Sequence, residues 1–246
     1  MKNINMIKVS AIVLMMLSTF FSCSKKGEST FGCDSEGELY YCYYLHEKVL
    51  LHEHVVNDWL LIAFEREAPI DEIVKYINQT GLFKPVDVDQ HYFRYRACAN
   101  DELEEYFGSY VRVNTKTNKT CAQLKEIMRK LEESPMVTYV GHGYIFNDNY
   151  PSDMWLNANI FVVEVKDEND LSDLYAVAQE TNSFVMGAFT VSPKWFYVRI
   201  DKYSTIGNST AMANYFQETG NFVVVDYGFF SILPVAGSVI DQISTP

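Results

Sequence analysis

The sequence predicts an α+β fold in which one order of elements, strand, helix, strand, strand, helix, strand, occurs twice behind an N-terminal β-hairpin. Three observations predict it. An apolar strand and an amphipathic helix at Trp59–Glu65 and Ile70–Thr80 recur 101 residues later at Ile160–Lys166 and Leu171–Thr181. An aromatic strand follows each pair, Tyr92–Ala97 and Trp195–Ile200, beginning 33 and 35 residues after the first strand begins. The two stretches also end alike: Glu133–Tyr144 lies over Glu218–Phe229 without a gap and shares Glu133/Glu218, Val140/Val225 and Gly143/Gly228.

From the N-terminus, residues 1–22 carry only Lys2 and Lys8 as charges, ahead of an apolar run from Val9 to Phe21. This is the n-region and h-region of an export signal, short for a membrane span. Phe20-Phe21-Ser22-Cys23 resembles a bacterial lipobox. That resemblance implies removal of the lipoprotein signal peptide 1–22 and acylation of Cys23, with an ordinary secretory signal as the bland alternative. Each buried acyl methylene contributes ~0.8 kcal/mol, so a diacylated Cys23 would tether the chain to a bilayer. By the same resemblance, Ser24 rather than Asp points to the outer membrane of the cell envelope and leaves its face unread.

Residues 23–57 are expected to be a tether and hairpin, with Leu39–Leu45 and Val49–His52 flanking His46-Glu47-Lys48. The first repeat, 58–149, opens with the Trp59–Glu65 strand. Its first helix buries Ile70, Ile73, Val74 and Ile77 and closes at Thr80-Gly81, and its second buries Leu124, Ile127, Met128 and Leu131. The second repeat, 150–233, has helix faces at Leu171, Leu174, Tyr175 and Ala178 and at Met212, Tyr215 and Phe216; residues 234–246 are a tail without clear periodicity. This order is the split βαβ or ferredoxin-like arrangement, whose helices cover one face of a four-stranded antiparallel sheet. Ala97 to Glu133 spans 36 residues and Ile200 to Glu218 spans 18, so an insertion is expected near 98–121, read as a small hairpin around Tyr110–Val113.

Excluding Cys23, four cysteines remain in an oxidising compartment, with three pairings open to them. Cys98 and Cys121 flank the insertion, and a bridge there would stabilise the fold by ~3 kcal/mol through loop closure. Cys33 with Cys42 is the complementary pair, and four free buried thiols are the alternative.

At 48% hydrophobic and 21% charged, the chain of 246 residues is too apolar for disorder over most of its length. Its 20 Lys and Arg face 32 Asp and Glu; without the two signal lysines the balance is 18 minus 32, or −14. A field of that sign disfavours nucleic acid and suits a cationic patch on a partner protein. No cofactor and no metal site is expected. His52-Glu53-His54 puts two imidazoles on one strand face without an obvious third ligand. The acidic runs at 102–105 and 167–170 read as solvated turns and helix starts. Gly141-His142-Gly143 is read as a turn, because nucleophilic catalysis needs a complete base and nucleophile constellation. The chain is therefore expected to be non-enzymatic. By strand periodicity, Tyr92, Arg94, Trp195 and Tyr197 would share an outward face, a contact surface for a protein partner or for packing between the repeats.

The Tyr-rich hairpin from Tyr40 to Leu51, the repeat, and the ending Met212-Ala-Asn-Tyr-Phe-Gln-Glu-Thr-Gly-Asn-Phe222 resemble the N-terminal prodomain region of subtilisin-like serine peptidases of Bacteroides-type bacteria, over residues 38 to 231. The resemblance implies a ferredoxin-like fold and a folding chaperone and inhibitor that sends its C-terminal segment into a peptidase cleft. Phe229, Phe230, Ser231, Ile232 and Leu233 would enter as an added strand, limited by Pro234. On this reading no catalytic domain is expected after Tyr227-Gly-Phe-Phe230. Gly141-His142-Gly143 resembles the family's catalytic histidine motif, yet no matching Asp or Ser segment occurs. The competing expectation is a cell-envelope adhesion or structural module without a peptidase target.

Overall fold

The computed structural model describes residues 41–44, 47–50, 55–87, 92–96, 106–145, 154–189 and 192–231. Contacts divide the chain into residues 1–30 and 31–246, and everything described belongs to the second unit. The signal segment, Cys23, Cys33, His52–His54, Cys98, Ile232, Leu233 and the tail 234–246 lie outside the described residues.

β1 (Tyr41–Tyr44) and β2 (Glu47–Leu50) form an antiparallel hairpin with Tyr41 opposite Leu50. β3 (Val55–Phe64) is an apolar strand buried on both faces from Leu60 onward, as an unbroken apolar run demands. α1 (Ile70–Thr80) starts after Pro69, carries Asp71 and Glu72 at its positive end, and stops at Gly81, whose φ of 67° places it in the left-handed region. β4 (Tyr92–Arg96) and β5 (Tyr106–Asn114) follow. α2 (Cys121–Glu132) is opened by a reciprocal cap: Gln123 N donates to Thr120 Oγ1 at 3.3 Å, and Thr120 N donates to Gln123 Oε1 at 3.0 Å. β6 (Val137–Ile145) completes the N-terminal half.

The C-terminal half runs β7 (Met154–Glu164), α3 (Ser172–Thr181), β8 (Phe184–Phe189), β9 (Ser192–Arg199), α4 (Ser209–Glu218) and β10 (Val224–Ser231). Asn182, at φ 52°, ends α3. Asn208 Oδ1 accepts from Ala211 N at 2.9 Å and opens α4. The strand order is β4-β5-β3-β6 in the N-terminal half and β8-β9-β7-β10 in the C-terminal half, with every pair antiparallel. β6 also pairs with β7, Gly143 opposite Leu156 and Tyr144 opposite Trp155, which makes one eight-stranded sheet. The described fold is thus α+β, an antiparallel sheet with four helices. β1 of the hairpin lies beside α4 and β10.

Two buried clusters hold these layers. In the N-terminal half, Leu60, Ile62 and Phe64 of β3 and Val111 and Val113 of β5 pack under Ile73, Ile77, Leu124 and Leu131 of the helices. In the C-terminal half, Phe161, Val163 and Val198 pack under Leu174, Ala178, Met212 and Phe216, and the Phe161 ring meets the Phe216 ring edge-on at 5.0 Å. That second cluster continues into Leu61, Ala63, Tyr110 and Tyr139 of the N-terminal half. A fully buried side chain such as Leu61 contributes about 1.5–3 kcal/mol by leaving water, so this shared burial ties the halves together.

Four expectations are corrected. Tyr110–Val113 is no inserted hairpin: it lies inside β5, paired on one side with β3 and on the other with β4. The aromatic strand Tyr92–Arg96 is therefore the second strand of its half, not the third, and its counterpart by position is β8 rather than β9. The extra length of the N-terminal half falls in the connections 81–91 and 97–105, where the C-terminal half has 182–183 and 190–191. Matching aromatic composition misled because apolar and aromatic residues suit any half-buried strand. Gly141-His142-Gly143 is strand interior, not a turn, with His142 opposite Leu60. Tyr175 is 55% exposed; Val177 takes its place on the buried face of α3.

Candidate functional site

The expected aromatic surface is not assembled. Tyr92 lies on the helix-covered side, packed against the N-terminal core, with its hydroxyl 3.2 Å from Ser109 Oγ. Arg94 sits in β4 opposite Ser109. Trp195 is half-buried and Tyr197 buried, and the Tyr197 ring stacks on Phe189 at 4.1 Å. Alternation holds within each strand, but similar sequence does not put two strands at different positions in the sheet on one face.

Phe229, Phe230 and Ser231 are already paired with β7, opposite Asn157, Leu156 and Trp155. They cannot enter a partner's cleft as a free strand without leaving that ladder, which corrects the expected role of these three residues. Cys121, at the start of α2, is disulfide-bonded; the other four cysteines have no described side chain.

A seam of buried polar groups joins the halves. Tyr139 Oη donates to Asn157 Oδ1 at 3.1 Å and lies 3.3 Å from Ser209 Oγ, which also donates to Asn157 Oδ1. Asn157 Nδ2 donates to Thr210 Oγ1 at 2.6 Å. Tyr110 Oη donates to Asn159 Oδ1 at 2.7 Å, and Asn159 Nδ2 to the Ile200 carbonyl at 3.2 Å. Beside the seam, Lys202 N donates to Thr138 O and Lys202 Nζ to Ser134 O, both at 2.7 Å. The backbones approach so closely that a Cβ on Gly141 would sit 2.0 Å from the Asn157 carbonyl oxygen.

Electrostatics fix what this seam can do. Burial pushes the Tyr110 phenol far above its usual range, against the lowering pull of Arg199. Burial likewise raises Tyr139 to about 12, against hydrogen bonds from Ser209 that favour the ionised form. Both phenols are held neutral and act as hydrogen-bond donors to Asn157 and Asn159, which fastens the two halves together. His142 is 3% exposed, and its ring meets Tyr144 edge-on at 6.4 Å. The sequence signal for the seam was Asn157 and Asn159 alternating inside an otherwise apolar strand, since buried amides require partners.

A half-open cleft of about 180 Å³, lined by Trp59, Lys84, Pro85, Val86, Arg112 and Asn114 among others, lies beside β3 and β5. It is smaller than the roughly 300–1,000 Å³ of ordinary ligand pockets. Among the described residues, no three His, Cys, Asp or Glu side chains are placed to share a metal ion, and no helix is long and apolar enough to cross a membrane.

The element that sequence reasoning passed over is β8. Among the described residues, Phe184-Val-Met-Gly-Ala-Phe189 is an outermost strand without charge or proline, none of its six residues is buried, and Phe184 is 38% exposed. Edge strands are ordinarily guarded by charge, proline or brevity because their open backbone invites another chain. The signal was legible: six uncharged residues between the turn at Thr181-Asn182 and the β9 strand.

No protein-family model and no curated protein matches the chain. Among solved structures, the acetolactate synthase small subunit from Thermotoga maritima is similar over 72% of this chain and 98% of that one, with 9% identity and a TM-score of 0.26. A likeness at that score carries no conclusion about what this chain does.

Proposed function

We propose that the chain is a tandem of two ferredoxin-like repeats serving as a non-enzymatic, membrane-tethered protein-binding lipoprotein, the inhibitor or folding chaperone of a separately encoded subtilisin-like peptidase. Duplication is supported by strand register. Leu61 opposite Arg112 becomes Val162 opposite Tyr197, and Ile62 opposite Val140 becomes Val163 opposite Val225: 101 positions on for the first strand and 85 for its partners, in both ladders. The break in pairing between Val56 and Leu60 also recurs between Asn157 and Phe161. On the partner strand the break differs by one residue, His142/Gly143 against Tyr227/Phe229, so the register shared through Leu60–Ala63 and Phe161–Glu164 is what supports duplication.

The observation that carries the binding reading is the β10 ladder. It runs to Ser231 opposite Trp155, near the start of β7, so the chain reaches Ile232-Leu233 immediately past its last described pair. Phe229–Ser231 then form a fixed base, and Ile232 and Leu233 are the residues left to enter the partner's cleft. Cys23 holds the chain at the outer membrane, and Cys98 is the partner of Cys121.

Titration of purified chain against subtilisin-like peptidases tests the reading. Inhibition at micromolar concentration, lost on deletion of residues 232–246, is expected; wild-type chain without inhibition or binding leaves a cell-envelope interaction module in its place. Cys23→Ala should move the chain out of the membrane fraction, and retention there overturns the anchor. Non-reducing peptide mapping should recover Cys98 linked to Cys121; Cys98 linked to Cys33 overturns the pairing.

A further inference from the structure

The geometry points to β8 as a homodimer edge: two copies of this chain pair antiparallel through Phe184–Phe189 and extend the sheet across a two-fold axis. This site lies on the opposite side of the C-terminal half from β10 and needs no peptidase. The strand is self-complementary. In the two-fold register centred between Met186 and Gly187, Phe184 faces Phe189, Val185 faces Ala188 and Met186 faces Gly187, so every cross-strand pair is apolar and the larger central residue meets the smallest. A Cβ added at Gly187 would meet no atom within 4 Å, which leaves room there for the Met186 side chain of the second copy. The ladder with β9 passes from Val185 to Gly187 and leaves Met186 out of register, its half-buried side chain packing partly against the C-terminal core.

Charge favours a second copy in this orientation. Two chains of net charge −12 repel, and they approach most easily where neither presents a carboxylate. β8 is such a segment. Glu180 lies near its start, in the last turn of α3, and the exposed Lys194 near its end, in β9. A two-fold reversal brings the acidic end of one copy toward the basic end of the other, whereas a parallel arrangement would bring like ends together. Open edges paired in this way gain backbone hydrogen bonds along their whole length.

Light scattering of the full chain across a micromolar concentration series should give twice the chain mass. Met186→Lys sets like charges beside the axis and should raise the dimer dissociation constant about tenfold or more, as should Met186→Glu. An equimolar mixture of the two variants should recover the dimer, which a misfolded variant would not do. Deleting residues 232–246 should leave the dimer intact. A monomeric wild type, a Met186→Lys chain that dimerises normally, or a dimer lost with the tail would each overturn the proposal, and none of these results bears on peptidase inhibition.

Discussion

The helix-covered core of the N-terminal half closes on itself, whereas the core of the C-terminal half runs on into Leu61, Ala63, Tyr110 and Tyr139 of its neighbour. The same order of elements therefore serves two different ends. One half buries both faces of its central strand, the second face only because the other half covers it. The outer strands differ in the same spirit: β4 reads Tyr-Phe-Arg-Tyr-Arg and β8 reads Phe-Val-Met-Gly-Ala-Phe. Among the described residues both strands lie at an edge of the sheet, one carrying cationic sequence and the other none, which teaches that topology sets where an edge falls and composition sets how it is guarded.

The comparison can be broken hardest at equivalent core positions. Leu60 and Phe161, 101 residues apart and both fully buried, occupy corresponding places in β3 and β7. Phe161→Ala should cost about 3–5 kcal/mol and Leu60→Ala about 2–5 kcal/mol by denaturant unfolding. If the halves are coupled as described, both variants should unfold in one transition that takes the whole molecule with it. Two separated transitions would show that the shared cluster does not couple them.

Gly141→Ala strikes the seam itself. The added methyl would meet backbone, not a side chain that could swing away, so a loss of about 3 kcal/mol is expected, read as a fall in melting temperature. A variant as stable as the wild type would mean that the strands can separate there without cost. Tyr110→Phe removes the donor to buried Asn159 and should cost about 1–3 kcal/mol, the penalty of an amide oxygen left without its hydrogen bond.

A smaller effect separates the halves by the sign of their pH response. In α2, hydrogen bonding from Arg129 holds Glu126 down to about 2, so the stability it contributes is present above the ordinary carboxylate range and is lost as pH falls toward that value. In β10, burial raises Asp226 above its ordinary value, so the folded state binds that proton more tightly and this site loses stability as pH rises through the window. Asp226→Asn should therefore gain on the wild type at neutral pH, and the gain should fade in acid. Thermal melts across the acid range check it, and a gain independent of pH would remove burial of the charge as its cause.

Helix positions were readable because period and punctuation are local. Thr80-Gly81 ends α1 where the sequence places it, whereas the Thr120–Gln123 cap that opens α2 is a local signal that sequence reasoning passed over. The gap-free match of Glu133–Tyr144 with Glu218–Phe229 foretold that β6 and β10 would share a register. Strand identity within a half was less readable, since Tyr92–Arg96 and Tyr106–Asn114 are both apolar-aromatic and only pairing tells second from third. Of the candidate surface, the residues were visible and their company was not: Tyr92 proved to belong to a core, and Phe229–Ser231 to a ladder.

By itself the amino-acid order determined the α+β class, the positions of the helices and the buried stripe of most of them, because dihedral preference and apolar periodicity act within a few neighbouring residues. Only tertiary structure decided that β6 would pair with β7, that Tyr139, Asn157 and Ser209 would meet, and that β8 would be left at the margin. Those outcomes depend on contacts between residues tens of positions apart, where many strands of similar composition compete for the same edge and the whole fold selects among them.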